Sequence, residues 1–283
     1  MSALEWNDIP ELDHPLVVVA FQGWFDAGEA ATDAVDCLAD LGEAVEIARI
    51  DSEPFFNFQE QRPTVAYGND GDRVITWPDT VVRAVRPNGA SRDLVLISGV
   101  EPHLRWPSFC RDILSVIEHT GAEMVVTLGA MVAVVPHTRP LVVTGSSTTP
   151  ELARRLGLNK PSYQGPTGVV GTLHDALDGA SVPVISLRVG IPHYVPGPPN
   201  PSGTKALLQQ FQRVTGMPTD PGRLDGPIDE WRGRVDLAVA DDPDVVAYVA
   251  QVEAQADAEA DEIPSGDDLA AELEQFLREQ SDE

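Results

Sequence analysis

The run Pro15-Leu16-Val17-Val18-Val19-Ala20 leads straight into Phe21-Gln22-Gly23-Trp24-Phe25-Asp26-Ala27-Gly28-Glu29-Ala30. Consecutive apolar residues without polar alternation read as a strand covered on both faces. Apolar residues then recur at helical spacing over 27–41. A doubly covered strand followed by a helix confines the chain to an α/β architecture, with helices layered on both sides of a sheet. Two glycines, a tryptophan and a carboxylate occupy the turn between them, where such folds place their sites.

The alternation continues down the chain. Residues 45–50, 93–98, 123–128 and 182–187 read as strands and 139–144 as a further extended run, with helical patterns at 107–119, 168–177 and 204–215. This order predicts a three-layer α/β domain with a mainly parallel sheet. One segment breaks the pattern. Thr64-Val65-Ala66-Tyr67 and Arg73-Val74-Ile75-Thr76-Trp77 flank Gly68-Asn69-Asp70-Gly71-Asp72, which predicts a β-hairpin inserted at 64–77. Its Tyr67, Ile75 and Trp77 suit either a subunit interface or packing back on the same domain, because apolar strands rarely stay bare. The α/β core is expected to span 1–217. After a linker at 218–227, helical patterns at 228–240, 243–260 and 267–280 predict an acidic helical subdomain over 218–283.

Charge narrows the partners. The net charge is −26, and residues 225–283 alone hold 19 Asp and Glu against 3 Arg and no Lys. Nucleic acid and an anionic membrane surface are disfavoured, since both need a cationic stripe. No run approaches the ~18 apolar residues of a membrane span, and the N-terminus has no signal-peptide core. The two cysteines, Cys37 and Cys110, both fall in helical patterns, which points to a reducing cytoplasm rather than a disulfide framework.

Polar clusters gather where strands end. They are Gly23-Trp24-Phe25-Asp26, Gly99-Val100-Glu101-Pro102-His103, Gly129 with Pro136-His137-Thr138-Arg139, and Pro192-His193-Tyr194. The loop Tyr163-Gln164-Gly165-Pro166-Thr167-Gly168 opens a helix. The carboxyl ends of parallel strands share one edge, so these clusters are expected to line one crevice. Asp26 and Glu101 are candidate general acids or bases, although each also suits a helix cap, Asp26 just before the helix near Ala27 and Glu101 opening Leu104-Arg105-Trp106. His137 and His193 are candidate proton carriers or structural hydrogen-bonding groups. Arg139 and Arg105 suit either clamping a carboxylate or phosphate, or an internal salt bridge to Glu101 or Asp26. Thr167 and Gly168 lie where a helix N-terminus would take an anion, and Gly145-Ser146-Ser147 offers a second such loop or a cap. No zinc-ligand spacing, Walker lysine, GxGxxG or GxSxG occurs, so no metal or cofactor is expected.

These residues together resemble the second proteasome-assembly-chaperone family, in its actinobacterial branch. The resemblance rests on Gly23–Gly28, Gly99–Pro102 with Trp106, Leu128–Ala130, Val135–Pro140, Gly165–Gly168 and Ile191–Tyr194, in that order. It implies a core like that of purine nucleoside phosphorylases and peptidyl-tRNA hydrolases. It also implies a hairpin that serves oligomerisation, as a trimer, and acidic helices that fold as a lid over the crevice. Eukaryotic relatives are chaperones for proteasome α-subunits, and their C-terminal motif engages the proteasome; this chain ends Gln280-Ser281-Asp282-Glu283, without the hydrophobic-Tyr-X ending of some proteasome activators. Two readings stand. One is an oligomeric, chaperone-like binding or assembly protein with a protein partner and a ligand-binding crevice at the sheet's carboxyl edge. The other is a phosphorylase- or hydrolase-type enzyme, in which Gly23, Trp24, Gly99, Gly129, Arg139, Thr167, Gly168 and Tyr194 would hold a small anionic ligand.

Overall fold

The apolar run at 16–20 becomes the middle of an eight-stranded sheet. In this computed structural model, which describes residues 2–68 and 70–261, the elements follow in order. They are β1 (Leu4–Trp6), β2 (Leu16–Gln22), α1 (Ala30–Ala39), β3 (Ala44–Ile50), β4 (Thr64–Tyr67), β5 (Arg73–Thr76), β6 (Thr80–Val85), β7 (Leu94–Val100) and α2 (Trp106–Thr120). Then come β8 (Val125–Ala133), β9 (Val143–Ser147), α3 (Pro150–Leu156), α4 (Val169–Gly179), β10 (Val184–Pro192), α5 (Pro201–Thr215), α6 (Asp225–Ala240) and α7 (Pro243–Asp261).

Alternate side chains of β2 feed two cores, because successive Cβ atoms leave a strand on opposite faces. Leu16, Val18 and Ala20 pack with α1 and α5 residues such as Leu38 and Phe211. Val17, Val19 and Phe21 pack with α2 and α4 residues such as Phe109 and Leu173. That is the three-layer arrangement predicted from the sequence. Helix ends follow local chemistry. Gly121 closes α2 with φ 69°, a conformation that costs glycine least. Asn200 opens α5 by accepting the Gly203 N–H at 2.8 Å, just ahead of Pro201 at the first helical position.

The strand order is β1-β3-β6-β7-β2-β8-β10-β9. β7, β2, β8 and β10 are mutually parallel, and β3 shares their direction through two antiparallel pairings with β6 between. β1, β6 and β9 run the other way, so the sheet is mixed but mainly parallel. The carboxyl ends of the four central strands, at Gln22, Val100, Ala133 and Pro192, therefore lie along one edge.

Two strands, β1 and β6, are additions to the sequence reading. The extended run expected at 139–144 is displaced to Val143–Ser147, where Gly145, Ser146 and Ser147 pair with Leu187, Ser186 and Ile185. Those three residues are therefore strand residues and not a loop; Ser147 Oγ donates to the Val184 carbonyl at 2.7 Å. The hairpin is present as β4 and β5, a ribbon separate from the main sheet. The helix expected at 267–280 lies outside the described residues.

Candidate functional site

Glu101, just past β7, is where three loops meet. Its Oε2 accepts the Trp24 N–H at 3.1 Å and its Oε1 accepts the Val169 N–H at 3.2 Å. Gly23 and Gly168 make the approach possible, since a Cβ on either would come within 2.8 Å of Glu101 atoms. The N-terminus of α4, which the sequence suggested for an external anion, is thus occupied by the protein's own carboxylate, a favourable place for negative charge. Thr167 is exposed beside it, with its hydroxyl over Gly171. Trp24 projects into solvent, 72% exposed.

Asp26 is buried and works as a remote cap for α1. Its Oδ1 accepts the N–H groups of Ala31 at 2.7 Å and Thr32 at 3.3 Å, and its Oδ2 takes the Thr32 hydroxyl at 2.5 Å. Burial raises its pKa against the pull of those hydrogen bonds. Gly28 supplies the turn with φ 64°, and any Cβ there would press on Asn200. Gly99 and Gly129 also serve close packing. A side chain at Gly99 would strike the Asp79 carbonyl, and one at Gly129 would strike the Phe25 ring.

A second group of predicted residues joins the loop after β8 to the C-terminal helices. His137 is only 2% exposed. Tyr194 Oη accepts the His137 backbone N–H at 2.9 Å and lies 2.8 Å from Nδ1. Tyr194 donating to Nδ1 leaves Nε2–H to donate to Asp236 Oδ1 of α6 at 2.9 Å. Trp231 of α6 stands edge-on to the same imidazole. Burial raises the Tyr194 pKa, which keeps the phenol protonated for this role. Thr138 donates to Glu253 of α7, and Arg139 makes two hydrogen bonds to Asp257, at 2.8 and 3.0 Å. That pairing lowers the Asp257 pKa and raises that of Arg139. The internal partners expected for Arg139, Glu101 or Asp26, are thereby replaced by acids of α7. His193 binds the Ala133 carbonyl through Nδ1 at 3.1 Å and meets Tyr248 of α7 through Nε2 at 3.2 Å.

The predicted residues therefore share the carboxyl edge but divide into two sets, one fastening the turns after β2 and β7 and the other fastening α6 and α7. A cavity of about 660 Å³ lies nearby, between α1, β6 and the base of the hairpin, and of the predicted residues only Gly99 lines it. Its lining sets Glu29, Asp33, Asp36, Glu46 and Asp79 against Arg62 and Arg83, the wrong balance for an anionic ligand. Burial and the neighbouring carboxylates Glu29, Asp26 and Asp36 push the Asp33 pKa up to about 6. Among the described residues no His, Cys, Asp and Glu side chains are grouped to hold a metal, and no helix is long and apolar enough to cross a membrane. Sequence reasoning missed Asp236, Tyr248, Glu253 and Asp257; the one available signal was the four-residue spacing that puts Glu253 and Asp257 on one helical face.

Residues 20–239 match the sequence model of the PAC2 family. The chain belongs to the PAC2 family. A PAC2 family protein from Streptomyces avermitilis is 42% identical over 83% of this chain and 99% of its own, with a TM-score of 0.77. A proteasome-assembly chaperone homologue from Mycobacterium tuberculosis is 39% identical over the same shares, with a TM-score of 0.75. An archaeal proteasome activator from Pyrococcus furiosus, 15% identical over 84% of this chain and 98% of its own, shares the fold at a TM-score of 0.67. A comparison with curated proteins finds no match. The PAC2 match takes in every residue fastened around Glu101 and also His137, Arg139, Tyr194 and Asp236. It ends before α7, so Arg139 reaches from inside the PAC2 segment to an acid outside it.

Proposed function

We propose that this PAC2 protein is an oligomeric binding and assembly protein, chaperone-like in role, working in the cytoplasm. One observation carries the reading. The groups suited to catalysis are already engaged within the chain, while the hairpin leaves its apolar side chains bare. Asp26 and Glu101 satisfy helix N-termini, His137 is held between Tyr194 and Asp236, and Arg139 is paired with Asp257. On the hairpin and its flank, Tyr67 is 75% exposed, and Val65, Val74, Ile75 and Trp77 are between 42% and 52% exposed. Exposed apolar strands of this kind are association surfaces. The chaperone named in the M. tuberculosis relative supports a protein partner, and the two free cysteines suit a reducing compartment. In this reading α6 and α7 form a lid across the ends of β8 and β10, latched by His137, Thr138 and Arg139.

Native mass spectrometry of the full chain tests the assembly. A trimer that falls to monomer when Tyr67 and Val74 are both changed to Ser is the expected result. A monomer at micromolar concentration overturns the hairpin's role. Capture from the lysate of the protein's own host then tests the partner. A stoichiometric protein is expected, whereas a bound small metabolite with no protein would favour the enzyme reading.

A further inference from the structure

On the α4 side of the sheet, beginning beside Gly129 and running back along the strands, lies a polar cluster that neither the fold nor the proposed function uses. It is built on β10 and its two neighbours. Ser186 and Arg188 are two residues apart on β10, so both side chains leave the same face. Ser186 pairs directly with Thr127 of β8 on one side and with Ser146 of β9 on the other. Paired residues of adjacent strands share a face, so Thr127, Ser146, Ser186 and Arg188 form one patch. His174 of α4 closes it from above, with Nε2 at 2.8 Å from Thr127 Oγ1.

The patch is incompletely satisfied. Arg188 makes one side-chain hydrogen bond, from Nη2 to Ser146 Oγ at 3.1 Å. Its Nε is buried without a partner, and so is the hydroxyl of Ser186, a residue only 4% exposed. Among the described residues no carboxylate pairs with this guanidinium, although the chain carries 45 Asp and Glu against 19 Lys and Arg. A guanidinium cannot shed its charge, and a half-buried one without a counter-charge is costly. Thr127 and Ser146 are buried, whereas Arg188 is only half-buried, so its guanidinium is the side from which a solute could reach the patch. Accepting from Arg188 leaves the Ser146 hydroxyl proton free to donate elsewhere. The patch thus offers three unused donors: Arg188 Nε–H, Ser186 O–H and Ser146 O–H. It also offers one uncompensated positive charge.

We propose that Arg188, Ser186 and Ser146 form a binding site for a small oxyanion of phosphate type. Such an anion supplies the missing charge and accepts from all three donors, the combination that makes guanidinium–phosphate pairs strong. His174 is suited to be a neutral wall of the site. Burial and the adjacent Arg188 charge hold its pKa down at about 4, so it adds no competing cation. The site is independent of the hairpin and of the latch on α7, and it stands or falls separately from the assembly reading.

Isothermal titration of inorganic phosphate into the full-length protein, in chloride buffer of matched ionic strength, tests it. One saturable site per chain is expected, weakened at least about tenfold in Arg188→Gln and several-fold in Ser186→Ala. Ser186→Ala removes a single atom without a partner, so that variant keeps the question open even if Arg188→Gln misfolds. Phenyl phosphate separates the sources. Competition with inorganic phosphate means the site takes a phosphate carried on an organic molecule, and binding of inorganic phosphate alone means it takes the free ion. Absence of saturable binding by either titrant up to about 10 mM, or binding unchanged in Ser186→Ala, overturns the proposal.

Discussion

Arg139, on the loop that follows β8, grips Asp257 of α7 through two hydrogen bonds although 118 residues separate them. With Thr138 on Glu253 and His193 against Tyr248, it fixes the last described helix to the carboxyl edge of the sheet. Both partners of the Arg139 pair are open to solvent, so their attraction is screened and serves position more than stability. Arg139→Ala should speed amide exchange along α7 while leaving β2, β7 and β8 protected. Salt near 1 M should have a similar, weaker effect on the parent protein. Hydrogen exchange followed by mass spectrometry checks both.

His137 acts from the interior. Its buried imidazole links the half-buried Tyr194 of the core to the exposed Asp236 of α6, and losing it breaks both links. His137→Ala should destabilise the protein by about 1–3 kcal/mol, the net worth of two hydrogen bonds at roughly 0.5–1.5 kcal/mol each. The loosening should begin at α6. Urea unfolding with Trp231 fluorescence reports it, because Trp231 packs edge-on to the same ring.

The sequence disclosed the parts of this fold that are governed by neighbours in the chain. β2 was plain because both of its faces are covered, leaving no polar position to blur the run. β6 was obscured because Arg83 interrupts Thr80–Val85, and that guanidinium is accommodated only by Asp36 and Ser98 far along the chain. Gly145-Ser146-Ser147 resembled a loop because small residues favour turns. They sit in a strand because they pair with Leu187, Ser186 and Ile185 of β10, a pairing no local pattern encodes. The site divides the same way. Parallel-strand logic gathered Gly23, Gly99, Gly129, His137 and His193 on one edge. Which group partners which, such as His137 with Asp236 across 99 residues, was set by the docking of α6 and α7 and left no local trace.

Asp33 makes stability depend on pH in a stated direction. Its carboxyl is half-buried beside Glu29, Asp26 and Asp36, and its pKa rises from 3.8 to about 6 in the folded protein. A raised folded pKa means the native state holds this proton more tightly than the unfolded chain does. The contribution to stability is fully present below about pH 4 and is lost as pH rises through about 6. Because the group is partly solvated, the loss should be about 1 kcal/mol or less. Asp33→Asn should remove this component. The stability difference between parent and variant, taken from urea unfolding at intervals from pH 4 to pH 7.5, should therefore shift towards the variant as pH rises. A difference that stays flat across that window would sink the assignment.

Gly129 offers the sharpest test of how the turn after β2 is seated. Phe25 lies against the backbone of β8 where a side chain would otherwise stand, and the Phe25 carbonyl accepts the Ala130 N–H at 2.8 Å. The ring and this hydrogen bond together fix the turn that carries Trp24 and Asp26. Gly129→Ala places a methyl group inside the ring's volume, so the half-buried ring must move or the strand must shift. Overpacking of this kind costs about 1–3 kcal/mol. The displaced turn should also weaken the Trp24 N–H contact to Glu101, which the emission of the exposed Trp24 indole can follow. Phe25→Leu frees that volume at its own cost in buried surface. The double variant should then be more stable than the sum of the two single changes predicts, because the residues share one space. Simple additivity in a double-mutant cycle would mean that the ring does not depend on the bare glycine.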